Sequence, residues 1–322
     1  MAETPRVLLH NDRTAELSKR LRANFPEVPF ETCETYADLP AALSHFQPDI
    51  LYSVRFAGTD GFPRAAVLGK HAPAWICNGG VGTDHFGVWD ADKVQITNAA
   101  GVASDMMAEY ILGGFLHFTL NVPTLLANKA GRIWQPLVMR PLAGRTLLIV
   151  GLGHTGRALS RRAKAFGLSV IGTRANPKAM PDVDEVHPAS DLGEVLPRAD
   201  FIAICTPLTP ATRGLIGAGE FAAMKQGVIL ADVSRGGVVD QTALLAALAD
   251  GKVAAAVLDV FETEPLPAEN LLWGAKNVLI SPHCSSVYEG WEEASFTLFL
   301  DNFARWIAGK PLLNVVDPRR GY

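Results

Sequence analysis

Three glycines spaced as G-x-G-x-x-G, Gly151, Gly153 and Gly156, stand where the apolar run TLLIV (146–150) gives way to RALSRRAKAFG. That spacing suits a dinucleotide pyrophosphate. The first glycine permits a tight turn, the second lets the backbone approach the phosphates, and the third lets strand and helix pack closely. His154 and Thr155 begin a helix whose free N–H groups face the anion. Leu159, Ala163 and Phe166 on one helix face, with Arg157, Arg161 and Lys164 on another, support the assignment. A glycine turn without a ligand is the ordinary alternative, and the agreement of strand, turn and helix speaks against it.

An NAD site commonly places an Asp or Glu about twenty residues further on, to hold the ribose hydroxyls. Here the stretch reads IGTRAN, with Thr173 and Arg174 in that place and no acid. A guanidinium suits a 2′-phosphate, because its charge is permanent and its donors are several. NADP is therefore the expected cofactor, with NAD as the alternative if Arg174 is merely solvated.

Three further polar residues, Arg235, Glu264 and His283, lie in DVSRGGVVD (232–240), LDVFETEPLP (258–267) and SPHCSS (281–286), each just after an expected strand. In an open α/β sheet, residues beyond the carboxyl ends of strands line the ligand crevice, so the three could converge beside a nicotinamide ring. Singly, each has a plain explanation: a surface ion pair, a solvated loop carboxylate, a satisfied loop histidine. Together, at strand ends of one nucleotide-binding domain, those explanations weaken.

The elements needed to position these residues are visible in the patterning. The chain has 322 residues, 48% hydrophobic and 19% charged, enough for about two domains with separate cores. Short apolar runs at 6–10, 49–54, 73–78 and 94–97, with a helical stretch at 14–24, predict a first α/β domain with a largely parallel sheet. DMMAEYILGGFLHFTL (105–120) reads as a long helix, apolar nearly all round, buried in a core or between subunits. A second βα series follows, with strands at 146–150, 169–172, 201–205, 228–233, 254–258 and 278–280. Asp240 caps the helix QTALLAALAD and Gly251 ends it. A last helix at 292–308 is expected to bury Leu298, Phe299, Phe303 and Ile307. The net charge of −4 with no basic run argues against nucleic acid or an anionic membrane as main partner. The short apolar run near the N-terminus predicts neither a signal core nor a span, hence a soluble cytoplasmic protein. Cys33, Cys77, Cys205 and Cys284 form no CxxC, so reduced, mostly buried thiols are expected and no metal site.

With these segments in order, the sequence resembles the D-isomer-specific 2-hydroxyacid dehydrogenases over nearly its whole length. GGVGTDHF (79–86), MAEYIL (107–112), GLGHTG, TPLTPATRGLI (206–216), VSRGGVVD, LDVFETEPLP and SPHCSS carry the likeness. WQPL (134–137), Arg174 and RRGY (319–322) are most similar to the NADPH-dependent glyoxylate/hydroxypyruvate reductases of that family. The resemblance implies that Arg235 holds the substrate's carboxylate and carbonyl oxygen, and that His283 is the general acid in reduction and the base in oxidation. Glu264 would fix the imidazole tautomer, and Val81 and Gly82 would offer backbone N–H groups to the substrate carboxylate. It also implies cofactor contacts from Thr206, Pro207, Val233, Ser234 and Ser285, with Asp259 at the carboxamide. Arg55 could add charge to the cleft but is left outside the catalytic set. Cys284 stands where aliphatic residues are usual and is expected to be a small apolar filler. Trp134 either reaches a neighbouring subunit's pocket or simply packs.

The implied architecture is α/β, two Rossmann-like domains with parallel sheets, a cofactor domain (101–286) inserted into a flavodoxin-like substrate domain (1–100 and 287–322). The active site is expected in the cleft, with closure expelling water, and the apolar helix from Asp105 predicts a homodimer. The expected reaction is hydride transfer from NAD(P)H to a small 2-ketoacid such as glyoxylate or hydroxypyruvate. Competing readings are a reductase of a bulkier, phenylpyruvate-like 2-ketoacid and a nucleotide-sensing, corepressor-like binding protein. A formate or phosphite dehydrogenase is less favoured. The pocket's volume stays open, since the side chains of Arg55, Trp134, Met139, Tyr288 and Trp291 could all enter it or all point away.

Overall fold

The computed structural model describes residues 4–54 and 61–320; Arg55 lies outside them, as does the end of the RRGY segment. The elements run β1 (Val7–His10), α1 (Thr14–Asn24), β2 (Phe30–Cys33), α2 (Leu39–Phe46), β3 (Ile50–Ser53), α3 (Arg64–Val67), β4 (Trp75–Asn78), β5 (Gln95–Thr97), α4 (Ser104–Thr119) and α5 (Val122–Gly131). They continue β6 (Thr146–Val150), α6 (His154–Ala165), β7 (Ser169–Arg174), β8 (Glu185–Pro188), α7 (Leu192–Val195), β9 (Phe201–Ile204), α8 (Ala218–Ala223), β10 (Val228–Asp232), α9 (Gln241–Ala249), β11 (Val253–Leu258), β12 (Val278–Ile280) and α10 (Trp291–Ile307). The chain divides into two compact units, Met1–Val102 with Glu289–Tyr322, and Ala103–Tyr288.

The first unit holds a five-stranded parallel sheet in the order β2-β1-β3-β4-β5. Its central strands are short and mostly apolar because both faces are covered. Side chains alternate across the pleat: Val7, Leu9, Ile50 and Tyr52 meet Leu17 and Leu21 of α1 and Phe296, Phe299 and Phe303 of α10. Leu8, Leu51 and Ile76 face Leu39 and Leu43 of α2. The buried face of α10 runs through Glu292, Ser295, Phe296, Phe299, Leu300, Asn302 and Phe303. Ile307, expected on that face, is 53% exposed instead, because the apolar stripe drifts off at the last turn.

The second unit has a seven-stranded parallel sheet in the order β12-β11-β10-β9-β6-β7-β8. β6, first in this unit's sequence, lies inside the sheet, and the strand order reverses between β6 and β9. The carboxyl ends there form the crevice where such sheets take ligands. On one face Leu147, Ile149, Val170, Ala203 and Val257 pack under α4 and α6. A Cβ on Gly114 of α4 would come within 2.6 Å of Val257 Cγ2, so glycine lets that helix settle on β11. The other face carries Leu192, Val195, Phe221 and Leu244. Asp240 caps α9 by accepting from Ala243 N at 3.0 Å.

Three further features depart from the sequence pattern. The polar edge strand β8 has no apolar alternation to announce it. Phe166, expected on the buried face of α6, is 44% exposed just past the helix end. A second helix, α5, follows α4 after left-handed Asn121 and buries none of its residues. Among the described residues no single helix is long and apolar enough to cross a membrane.

Candidate active site

The glycine turn is built as its spacing requires. Gly151 has φ +102°, and a Cβ there would lie 2.9 Å from the backbone of Cys205 and Thr206, so this turn abuts the end of β9 at the point of strand reversal. A Cβ on Gly156 would overlap the Gly151 carbonyl. Above Gly153, the residue preceding α6, lies open space. The first N–H groups of α6, including those of His154 and Thr155, have no acceptor within the helix by their position. Open space over a glycine, at a helix N-terminus, fits a dinucleotide pyrophosphate.

The remaining residues expected at the cofactor stand at successive strand ends. Thr173 and Arg174 close β7, Thr206 and Pro207 follow β9, Val233 and Ser234 follow β10, Asp259 follows β11 and Ser285 follows β12. Thr173 is buried, and its carbonyl accepts from Gly151 N and Leu152 N at 3.1 Å, which ties β7 to the glycine turn. Arg174 Nη1 lies 3.3 Å from Met180 Sδ, a weak acceptor. The His154 imidazole is disfavoured in its charged form by partial burial and by Arg157 beside it.

Glu264 and His283 meet: Nδ1 of His283 and Oε2 of Glu264 are 2.7 Å apart, and Oε1 accepts from Phe261 N at 2.9 Å. Partial burial opposes ionisation of Glu264, but these bonds and the nearby charges of His283 and Arg235 outweigh it and hold the carboxyl below its usual range. Arg235 Nη1 donates to the carbonyl of Ser234 at 2.7 Å. The loop bearing Arg235 lies directly against the loop bearing Glu264, since a Cβ on Gly236 would overlap the Phe261 carbonyl. The second unit thus brings all three expected catalytic side chains onto one crest.

Two buried carboxyls at neighbouring strand ends shape these loops. Asp232 Oδ1 accepts from Ser234 N at 3.0 Å and Ser234 Oγ at 2.5 Å. Burial pushes its carboxyl up to about 7. The hydrogen bonds from Ser234 oppose that rise, the Asp259 charge adds to it, and Arg235 works against it. Asp259, 1% exposed, accepts from Ser281 Oγ, Cys284 N, Ser285 N and Ser285 Oγ. These donors take up its two oxygens within the protein. Cys284, expected to be an apolar filler, is exposed, in a turn whose N–H groups point inward to Asp259. Burial, then the Asp259 charge, raises its thiol, which disfavours the reactive thiolate.

In the first unit, Val81 and Gly82 lie in the turn after β4. Asn78 Nδ2 donates to the carbonyls of Gly80 and Gly82 at 2.9 and 2.8 Å, and Asn98 Nδ2 to that of Val81 at 2.8 Å. In a trans peptide the N–H points opposite the C=O. Anchoring the carbonyls of Gly80 and Val81 therefore turns the N–H groups of Val81 and Gly82 away from the asparagines, as an anion-binding pair needs. Asn78 and Asn98 were missed from sequence, where an Asn just at or past a strand end reads as a turn residue.

Trp134 is 99% exposed, and Leu126, Ile133, Val138 and Met139 are exposed near it in the chain.

Residues 113–285 match the family model for the NAD binding domain of the D-isomer specific 2-hydroxyacid dehydrogenases. The D-3-phosphoglycerate dehydrogenase of Methanocaldococcus jannaschii is 36% identical over 247 residues, 75% of this chain but 47% of that protein, so this chain spans about half of its length. The glyoxylate reductase of Thermococcus litoralis is 35% identical over 79% of this chain and 78% of its own. Among solved structures, a D-isomer specific 2-hydroxyacid dehydrogenase from Xanthobacter autotrophicus Py2, in complex with NADPH and MES, superposes with a TM-score of 0.82 at 29% identity, covering 99% of this chain and 100% of that one.

Proposed function

Because this chain belongs to the D-isomer-specific 2-hydroxyacid dehydrogenases, NAD(P)-dependent oxidoreductases acting on 2-hydroxy and 2-keto acids, we propose that it reduces a small 2-ketoacid, glyoxylate or hydroxypyruvate, with NADPH. The observation that carries this reading is the His283–Glu264 pair on the same crest as Arg235. With Nδ1 engaged by the carboxylate, Nε2 is the nitrogen presented for proton exchange. Arg235 holds the substrate's carboxylate and carbonyl oxygen, a bidentate task suited to a planar fork of donors. A dihydronicotinamide nucleotide held at the turn of Gly151, Gly153 and Gly156 would supply the hydride for the carbonyl carbon. His283 gives the Nε2 proton to the carbonyl oxygen, and Glu264 stabilises the imidazolium before transfer. In the reverse direction His283 takes the hydroxyl proton.

Preference for NADPH is read from Arg174 and the missing acid at the end of β7, and the solved relative that holds NADPH supports it. Asp259 acts in this reading chiefly within the protein, through the donors it already binds. The exposed apolar run along α5 and 132–139 favours a homodimer, in which Trp134 is covered.

The test is a panel of glyoxylate, hydroxypyruvate, phenylpyruvate and, in the oxidative direction, D-3-phosphoglycerate, each with both nucleotides, reported as kcat/KM. The highest value is expected for one of the first two with NADPH. A higher value for phenylpyruvate would move the assignment to a bulkier substrate. Nucleotide binding without turnover on any member would favour a sensor. Light scattering at the mass of one chain would refute the dimer.

A further inference from the structure

We propose that Tyr110 is a positioning residue for His283, acting from α4 through Ser281 and the Asp259 carboxylate. The inference rests on the reading of His283 as proton donor given above. His283 has φ +51°, in the left-handed region where a side chain with a Cβ is strained, so surrounding bonds must hold it there. Its N–H donates to the Asp259 carbonyl at 3.0 Å, and the next two residues donate their N–H groups to the Asp259 carboxylate, Cys284 at 2.8 Å and Ser285 at 3.0 and 3.1 Å. Asp259 therefore grips the backbone turn on which the imidazole is mounted.

That grip is itself anchored to α4. Ser281 Oγ lies 2.5 Å from Asp259 Oδ1 and 2.6 Å from the Tyr110 hydroxyl. Ser281 Oγ is the donor to Asp259 Oδ1, and a serine hydroxyl has one proton to give. Tyr110 must then be the donor to Ser281, and the chain of bonds has one direction: Tyr110 to Ser281 to Asp259. Burial of Tyr110, against the opposing effect of its bond to Ser281, pushes its phenol up to about 12, so it keeps this proton at any ordinary pH. The far end is rigid, since Ile111, Leu112 and Phe115 fix α4 on the sheet and Asp105 pairs with Arg161 and Arg162 of α6. A helix remote in sequence from the active-site loop thereby sets the aim of the imidazole.

The test uses Tyr110→Phe, Ser281→Ala and the double variant of the full chain, with Ser281→Thr as the variant that keeps a hydroxyl. Each single variant is expected to lower kcat by about 3- to 10-fold, smaller than the roughly 100-fold that a 1 Å misplacement can cost, with KM for NADPH unchanged. Hydrogen exchange of the amides of residues 283–285 should quicken by about tenfold. The double variant should lose no more than Ser281→Ala alone, because that change already breaks both bonds of the chain, and Ser281→Thr should recover most of kcat. Wild-type kcat and wild-type exchange in Tyr110→Phe, or a double loss equal to the product of the single losses, would overturn the proposal. If His283→Ala turned over normally the catalytic reading would fail instead, and the exchange measurement would still report whether Tyr110 holds the turn.

Discussion

Replacing Asp232 by asparagine should stabilise the protein at alkaline pH and do little in acid. Asp232 is 3% exposed at the end of β10, and its carboxyl is raised from 3.8 to about 7, chiefly by burial. In the unfolded chain this group loses its proton near pH 4; in the folded one it keeps it to about pH 7. Between those values the native state binds more protons, so stability falls as pH rises and the full cost is present above pH 7. Three pH units at about 1.4 kcal/mol each give an upper bound of about 4 kcal/mol. The asparagine side chain carries no charge, while its amide oxygen still accepts from Ser234. At about 2–4 °C per kcal/mol for a domain of this size, the thermal midpoint of the variant should exceed that of the wild type at pH 8.5 by up to roughly 8–16 °C. At pH 4.5 the two should agree within about 3 °C. Thermal unfolding followed by circular dichroism at both pH values decides the matter. Equal gains at the two pH values, or a loss at pH 8.5, would show that Asp232 is not held as a costly buried charge.

His283→Ala should lower kcat for reduction by about 10²- to 10⁴-fold, the usual contribution of a positioned general acid, while the dissociation constant for NADPH, read by fluorescence titration, stays nearly constant. Glu264→Gln removes the charge that holds the imidazolium but keeps a hydrogen-bonding partner of the same size; steady-state assays should show kcat down by about 10- to 100-fold, and wild-type turnover would remove Glu264 from the mechanism. Arg174→Ala should raise KM for NADPH and leave that for NADH unchanged, and equal losses with both nucleotides would mean the arginine does not read the phosphate. Gly236→Ala drives a methyl into the Phe261 carbonyl, so it should cost about 1–3 kcal/mol in urea denaturation and lower kcat/KM by separating the Arg235 and Glu264 loops.

What the sequence made legible were features with a local signature. The glycine turn is legible because three backbone requirements fall on residues a few positions apart, and Arg235, Glu264 and His283 because each follows an apolar strand. Features that depend on distant partners left no such mark. β8 is a polar edge strand held by pairing with β7, and its Glu185 is occupied by Arg198 and His187. Tyr110 reads as one more large residue on an apolar helix, and its partner Ser281 lies 171 positions away. Asn78 and Asn98 act on a turn only once β4 and β5 stand side by side. Periodicity points Ile307 and Phe166 inward, but it holds within a helix and not at its end, where the chain turns away from the core.

The split of the first unit into two stretches has a consequence for biosynthesis. Phe296, Phe299 and Phe303 supply much of one face of its core, and Val315 bridges to Thr97 at the sheet's edge. A nascent chain emerging from the ribosome therefore lacks the rings that pack on Tyr52 and Trp75 until the closing helix is translated, while the intervening nucleotide-binding unit already has every strand it needs.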